Sequence, residues 1–141
     1  MTKKCSKRLP AKIEELNNVL AFTEAELEAA GCPMKEQMAI TVCLEEAFVN
    51  VASYAYPEDC GDDGIADLSV TIDEENRTVT LEISDNGIPF DPLAKQDPDV
   101  TLSAEERSVG GLGIYMVKKM MDQVEYRYEN GCNILTMCKK F

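Results

Sequence analysis

The sequence predicts a single domain in which helices and strands alternate. Its 141 residues suit one domain, 1–141, that is large enough to bury a substantial core. Apolar residues recur at helical spacing in the first third of the chain, which indicates helices. In later segments they alternate with polar residues, which indicates strands. We therefore expect both kinds of element in one fold.

The first half of the chain is predicted to contain an edge strand and two helices. Residues 4–9 form the short strand, and apolar spacing predicts a first helix over 12–30 that Gly31 ends. A second helix, from Met34 to about Tyr54, carries apolar residues on most of its faces. We expect this helix to be buried all round, so polar residues within it need a functional reason.

The second half is predicted to be mostly β-structure. Alternation predicts strands over 66–72 and 79–83, joined as a hairpin. A helix over 111–121 precedes two more strands, over 124–128 and 133–140, which Asn130-Gly131 joins in a tight turn. The segment 90–109 is long and polar, and we interpret it as a lid over a ligand site.

Composition excludes several classes of function. A formal net charge of −12 disfavours nucleic-acid binding, because phosphate neutralisation needs clustered lysine and arginine. The chain has no histidine, which removes mechanisms that use a histidine base, and its six cysteines are too irregularly spaced for a zinc site. Neither a signal peptide nor an apolar run of about 20 residues stands out. We expect reduced cysteines and a cytoplasmic protein with no nucleic-acid or membrane partner.

Glu46 and Asn50 are the polar residues of interest in the second helix. Residues four apart project from one helix face, whereas Glu45 points about 100° away from Glu46. A carboxylate can activate an attacking hydroxyl, and a carboxamide oxygen is a hard ligand that suits Mg²⁺. The pair is therefore a candidate catalytic and metal site. A hydrogen-bonded polar pair within a core is the alternative.

Asp85 and Gly87 lie where the strand over 79–83 ends. Asp85 continues the inward parity of that strand, and a buried carboxylate needs a partner. It can accept a hydrogen bond from an exocyclic amino group such as N6 of adenine, while Gly87 lets the backbone approach a flat base. The alternative is an Asp-Asn-Gly hairpin turn, which the inward parity of Asp85 disfavours.

Three glycines, Gly110, Gly111 and Gly113, surround the start of the predicted third helix. Unpaired N–H groups and the positive dipole end at a helix start can hold phosphate oxygens. The run is neither a Walker A loop nor a dinucleotide fingerprint, and a flexible connection is the alternative. Arg107, just upstream, can reach a terminal phosphate or an acidic partner; the alternative is a solvated surface arginine.

The three segments together resemble a known family. Glu46-x-x-x-Asn50, Asp85-Asn86-Gly87-Ile88-Pro89-Phe90-Asp91 and Gly110-Gly111-Leu112-Gly113-Ile114 resemble the N, G1 and G2 boxes of the GHKL ATPase superfamily. More closely, the chain resembles the small bacterial anti-sigma-factor serine/threonine protein kinases over essentially its whole length. The most specific part is the continuation of the second box into Pro89-Phe90-Asp91-Pro92.

The resemblance implies roles for individual residues. Glu46 would activate the attacking hydroxyl, Asn50 would ligate Mg²⁺, and Asp85 would recognise the adenine of ATP. Gly87 would support the base, and Thr136 would line the adenine pocket. The residues around the phosphates would be Arg107, Gly110, Gly111, Leu112 and Gly113.

The resemblance also implies a fold and partners. The family fold is α+β, a two-layer sandwich called the Bergerat fold, with helices on one face of a mixed, mostly antiparallel sheet. Kinases of this family dimerise and act in partner-switching modules. They bind a sigma factor or phosphorylate an anti-anti-sigma antagonist with a STAS domain. The alternative function is a nucleotide-binding module that sequesters a sigma factor or another regulator without phosphoryl transfer.

The chain departs from the family pattern at two places. Tyr54 stands where many members have a histidine, and Ile88-Pro89 replaces the second glycine of the broader superfamily's G1 box. Neither departure removes a residue that the implied phosphoryl transfer needs.

Overall fold

The computed structural model describes residues 2–56, 64–94 and 112–141, which form a helical layer on one five-stranded sheet. Short turns of 3-10 helix precede the first helix and follow the third strand, and a π-helical turn, Val51–Ala55, extends the second helix. The predicted α+β two-layer class is confirmed. The main elements are β1 (Thr2–Pro10), α1 (Leu16–Ala29), α2 (Met34–Asn50), β2 (Ile65–Asp73), β3 (Thr78–Asp85), α3 (Leu112–Met120), β4 (Gln123–Glu129) and β5 (Cys132–Lys140).

The sheet has the strand order β1-β2-β3-β5-β4, with the predicted edge strand β1 at one side. Each of the four pairings between the described strands is antiparallel, so the parallel component of a mixed sheet is not found among them. Because β3 and β5 are antiparallel neighbours, the C-terminal end of β3 lies beside the N-terminal end of β5. Asp85 and Asn133 are register partners at that point.

The core lies between the helices and one face of the sheet. Alternate residues of β2, β3 and β5 are buried, as the period-two pattern predicts. The opposite face carries mainly polar side chains of intermediate exposure, which is usual for an antiparallel sheet covered on one side. The largest fully buried apolar side chains are Val19, Leu27, Ile40, Leu44, Phe48, Leu68, Val70, Val79, Leu81, Val117 and Met137.

The prediction that the second helix is buried all round is wrong. Met34 and Met38 are 62% and 61% exposed, and Val42 is 41% exposed. In a two-layer fold nothing covers the outward face of the helical layer, so only the inward side of α2 enters the core. The stretch Met34–Ala55 is long and apolar enough to cross a membrane, judged by length and composition alone. This differs from the sequence-based expectation that no such stretch is present. Core helices of soluble proteins pass the same test.

The predicted turns after α1 and between β4 and β5 are confirmed. Gly31 has a φ of 73° and ends α1, where the N–H of Cys32 donates to the carbonyl of Leu27. Asn130 and Gly131 both have positive φ, as a two-residue hairpin turn between β4 and β5 requires. These local signals fix where the elements stop, and therefore which strand ends meet.

Candidate functional site

A cleft lies between the last turns of α2 and the ends of β3 and β5, with β4 at one side. About 400 Å³ of space lies in the cleft when the open solvent at its mouth is counted. Asn50 and Asp85, which are 35 positions apart in the chain, both line it, so the structure brings the first and second predicted motifs together. The other lining residues are Ala47, Val51, Ala55, Ile83, Phe90, Pro92, Tyr126, Asn133 and Leu135.

Asp85 is the buried carboxylate of the cleft, with only 6% of its surface exposed. Its Oδ1 accepts hydrogen bonds from the N–H of Gly87 (3.0 Å) and from Nδ2 of Asn133 (2.9 Å). Burial raises the pKa of the Asp85 carboxyl, and these two donors partly oppose that effect. No hydrogen bond from the described part of the chain reaches Oδ2, so this oxygen can accept one from a ligand.

Asn133 is a residue of the cleft that the sequence reasoning missed. It opens the inward-facing set of β5, is 6% exposed, and pairs with Asp85 across the sheet. Polar residues at inward positions of a strand are the signal that identified Asp85. The same parity, counted back from Leu135, would have identified Asn133.

Thr136, which the family resemblance places in the adenine pocket, lies elsewhere. The inward residues of β5 are Asn133, Leu135 and Met137, so Thr136 projects from the opposite face of the sheet. There it pairs in register with Glu82 and Glu125. Its hydroxyl oxygen is buried and has no hydrogen-bond partner among the described residues. In this structure Thr136 does not line the cleft, because a shift of one position along a strand reverses the face.

Gly87 lies against the π-helical turn that follows α2. A Cβ atom at this position would lie 2.0 Å from the backbone oxygen of Ala55, and that same oxygen accepts the N–H of Ile88 at 2.8 Å. Next to this contact, the Tyr56 hydroxyl lies 2.7 Å from Oδ1 of Asn86. Glycine is required here by close backbone packing, which fixes the turn after β3 relative to the end of α2.

Glu46 and Asn50 share one face of α2, as their spacing predicts. Nδ2 of Asn50 donates to Oε1 of Glu46 at 3.4 Å, a long hydrogen bond. Both side chains are half-buried, whereas Glu45 is exposed on a different side of the helix. Gly113, in the first turn of α3, approaches Glu46 so closely that a Cβ atom would lie 2.2 Å from the carboxyl carbon. The first and third motifs are therefore in contact.

The rest of the third motif is only partly described. Leu112 begins α3, one position later than predicted, and Gly113 follows it. Gly110, Gly111 and Arg107 lie outside the described residues, as does most of the predicted lid over 90–109. At the described start of that segment, the Phe90 ring packs against Tyr54 with centroids 5.8 Å apart. Tyr54 is 55% exposed and forms an aromatic rim with Phe90.

The donor set at the end of α2 is compatible with magnesium. Within the described ranges there is no group of three or more cysteine, aspartate and glutamate side chains that would hold a metal by itself. Asn50 supplies a carboxamide oxygen for a metal, with the carboxylate of Glu46 beside it. Mg²⁺ is usually bound by one or two protein oxygens, with water and phosphate completing its octahedron, so these residues fit a metal that arrives with a nucleotide.

The fold and the cleft define a class of protein, and comparison with known sequences agrees with it. The chain belongs to the family of the histidine kinase-like ATPase domain, whose model matches residues 9–139. The resemblance seen in the three motifs is thereby confirmed. The five cysteines in the described residues are free thiols.

Among its relatives, the chain is similar to the serine/threonine-protein kinase BtrW of Bordetella bronchiseptica. The two are 30% identical over 98 residues, which is 70% of this chain and 66% of that protein. It is also similar to the serine-protein kinase RsbW of Bacillus cereus, with 23% identity over 94% of this chain and 82% of that one.

Among solved structures, the chain is similar to the RsbU and RsbW domains of Rv1364c from Mycobacterium tuberculosis. The TM-score is 0.67 and the sequence identity 14%, over 98% of this chain and 32% of that one. At this identity the match concerns the fold.

Proposed function

We propose that this protein is an ATP-dependent serine/threonine protein kinase that acts as an anti-sigma factor. The observation that carries the proposal is one cleft lined by both Asn50 and Asp85, in which Oδ2 of Asp85 receives no hydrogen bond from the described residues. A site with a base-reading carboxylate at one end and a magnesium ligand at the other suits a nucleoside triphosphate. The names of BtrW and RsbW support protein phosphorylation as the reaction.

At the base end, Asp85 recognises adenine. Its Oδ2 accepts the N6 amino group, and a guanine would instead present a carbonyl oxygen to the carboxylate, which is repulsive. The apolar walls of the cleft, including Ile83 and Leu135, exclude water from the base. Gly87 keeps the turn beside the base close to α2.

At the catalytic end, Glu46 activates the attacking hydroxyl. The serine or threonine oxygen of the substrate protein forms a bond to the γ-phosphorus, its proton passes to the Glu46 carboxylate, and ADP leaves with the bridging oxygen. Asn50 ligates Mg²⁺, which when bound neutralises phosphate charge and orients the triphosphate. The N–H groups of Leu112 and Gly113 at the start of α3 hold phosphate oxygens. Gly110, Gly111 and Arg107, which lie outside the described residues, are the other proposed phosphate contacts.

The proposed partner is an anti-anti-sigma antagonist with a STAS domain, together with a sigma factor that the kinase sequesters. We further propose a homodimer that acts in the cytoplasm. The strongly acidic composition supports protein partners over nucleic acid. Without phosphoryl transfer, the same cleft would serve a module that binds ATP only to shape a surface for a sigma factor or another regulator.

Transfer from labelled ATP to a STAS-domain antagonist of the same genome tests this proposal. Wild type is expected to phosphorylate a serine or threonine, and Glu46→Gln is expected to bind ATP but to transfer phosphate about 10²- to 10⁴-fold more slowly. Glu45→Gln is a matched control, because this neighbouring glutamate is exposed and points elsewhere.

Three other outcomes are informative. Equal transfer by wild type and Glu46→Gln contradicts the catalytic assignment of Glu46. ATP binding without transfer to any antagonist favours the sequestering module. Failure of folded wild type to bind Mg²⁺-ATP in a calorimetric titration refutes the nucleotide site altogether.

A further inference from the structure

Asn133 makes four hydrogen bonds inside the cleft. Its Nδ2 donates to Oδ1 of Asp85 at 2.9 Å and to the carbonyl of Ile88 at 2.8 Å. Its Oδ1 accepts the N–H of Phe90 at 3.0 Å and the hydroxyl of Tyr126. A carboxamide has two N–H donors and two acceptor lone pairs, so the bonding capacity of Asn133 is fully used within the protein.

We propose that Asn133 is a positioning residue that orients Asp85 for the nucleotide and ties the chain after Gly87 to the floor of the cleft. Because its amide has no capacity left for a ligand, Asn133 acts through Asp85 and the backbone around it. Its bond is made to Oδ1 of Asp85, and Oδ2 receives no hydrogen bond from the described residues. Its two backbone bonds, to Ile88 and Phe90, hold the segment that leaves β3. The effect of Asn133 on nucleotide binding rests on the proposed function, whereas its effect on Asp85 does not.

The electrostatics of the cleft support this role. Asp85 is buried, which raises the pKa of its carboxyl, and the Asn133 amide is the stronger of the two donors that lower it. From β4, the neutral Tyr126 phenol donates to the same network. Burial raises the pKa of Tyr126, and the charges of Asp91 and Asp85 raise it by a smaller amount. From α2, the cleft receives the uncharged side chain of Asn50. Loss of the Asn133 donor is therefore expected to raise the pKa of Asp85 further.

Two substitutions separate the donor and acceptor halves of the amide. Asn133→Asp keeps oxygens that can accept from Phe90 and Tyr126 but replaces the donor to Asp85 with a second carboxylate. Asn133→Thr is small and uncharged, and it is too short to keep all four bonds. Thr136→Val is the matched control, because it changes the same strand on the opposite face of the sheet.

The first readout uses the protein without nucleotide. Carbon-detected NMR titration gives the pKa of Asp85, and amide exchange reports the N–H of Phe90. We expect a higher Asp85 pKa in both Asn133 variants, lost Phe90 protection in Asn133→Thr and retained protection in Asn133→Asp. Thr136→Val is expected to change neither. If one Asn133 variant fails to fold, the other supplies the same two measurements.

The second readout is the affinity for Mg²⁺-ATP as a function of pH. An ionised carboxylate accepts a hydrogen bond from adenine more strongly than a protonated carboxyl does, so affinity falls as the pH drops through the Asp85 pKa. Both Asn133 variants are expected to bind about ten- to a hundredfold more weakly at neutral pH, with this fall displaced to higher pH. A purely structural asparagine would lower thermal stability and leave both the Asp85 pKa and the pH profile unchanged.

The two readouts keep the inference distinct from the proposed function. An unchanged Asp85 pKa and pH profile in folded variants, with ATP bound normally by wild type, overturns the inference and leaves the nucleotide site intact. A raised Asp85 pKa in protein that never binds ATP supports the positioning of Asp85 by Asn133 and refutes the nucleotide site.

Discussion

The two ends of the cleft are built differently. At the base end, Asp85, Gly87 and Asn133 come from adjacent strand ends and are joined by hydrogen bonds of 2.9–3.0 Å. At the proposed catalytic end, the half-buried Glu46 and Asn50 share one face of α2 and are joined by a 3.4 Å hydrogen bond. Asn50 lines the cleft, whereas Glu46 lies one turn away, outside the described lining. Strand ladders fix the first set, whereas the second set depends on how α2 and α3 pack.

This difference indicates which end is ready before ligand arrives. At the proposed base end, Oδ2 of Asp85 receives no hydrogen bond from the described residues, so binding of adenine there would need little rearrangement. The catalytic end matches a site that is completed by metal and phosphate, since hydrogen bonds between catalytic groups are often long without ligand. Substitutions at the base end should therefore change affinity and stability, and those at the catalytic end should change turnover.

Among the substitutions that compare the two ends, Asp85→Asn is expected to have the largest effect on nucleotide affinity. A hydrogen bond to a charged group contributes about 1.5–3 kcal/mol, so affinity for Mg²⁺-ATP should fall about ten- to a hundredfold, measured by calorimetric titration. An equal affinity in the variant would contradict recognition of the base by Asp85.

The same substitution should stabilise the protein at neutral pH. Burial raises the pKa of Asp85 in the folded state, so its ionised form is unfavourable above that pKa, and this penalty disappears as pH falls towards the unfolded-state value. Asp85→Asn should therefore melt at a higher temperature than wild type at neutral pH, with a smaller difference at about pH 4. A lower melting temperature at neutral pH would show that burial of Asp85 carries no such penalty.

Gly87→Ala should cost stability. The added Cβ would lie 2.0 Å from the Ala55 backbone oxygen, and neither backbone segment can move without losing the Ile88 hydrogen bond. Steric overpacking of this kind costs about 1–3 kcal/mol, which urea denaturation would detect. Gly131→Ala is the control: an added Cβ there meets no atom within 4 Å, but the residue has a φ of +78°. Its loss of stability therefore measures backbone strain without a steric clash.

Gly113→Ala should instead lower turnover. Its Cβ would meet the Glu46 carboxyl at 2.2 Å, but a half-buried side chain can rotate away, and alanine favours a helix by about 1 kcal/mol over glycine. We expect a change in the free energy of unfolding within about 1 kcal/mol, with phosphoryl transfer about tenfold slower because Glu46 is displaced. A large loss of stability at unchanged turnover would reverse the comparison between the two glycines.

The smallest effect is expected from Thr136→Val. The Thr136 hydroxyl is buried without a partner among the described residues, and such a group is unfavourable. Stability should be unchanged or higher by up to about 1 kcal/mol, and the affinity for Mg²⁺-ATP should not change. A clear loss of ATP affinity would restore this residue to the pocket and revise the register of β5.

Local patterns in the sequence were sufficient for much of the fold. Period-two alternation predicted β2 and β3, and the signals of Gly31 and Asn130-Gly131 predicted where elements end, because these depend on residues close in the chain. Helical spacing also predicted that Glu46 and Asn50 share a face, and strand parity predicted that Asp85 is buried. The family resemblance followed from the same three motifs.

Other features were decided only when distant segments met. The exposed outer face of α2 depends on how many layers cover it, which its own apolar content does not specify. The need for glycine at Gly87 comes from the carbonyl of Ala55, 32 positions earlier in the chain. Strand parity in β5 places Asn133 and Leu135 on one face and Thr136 on the other, but only the pairing of β5 with β3 puts Asn133 opposite Asp85.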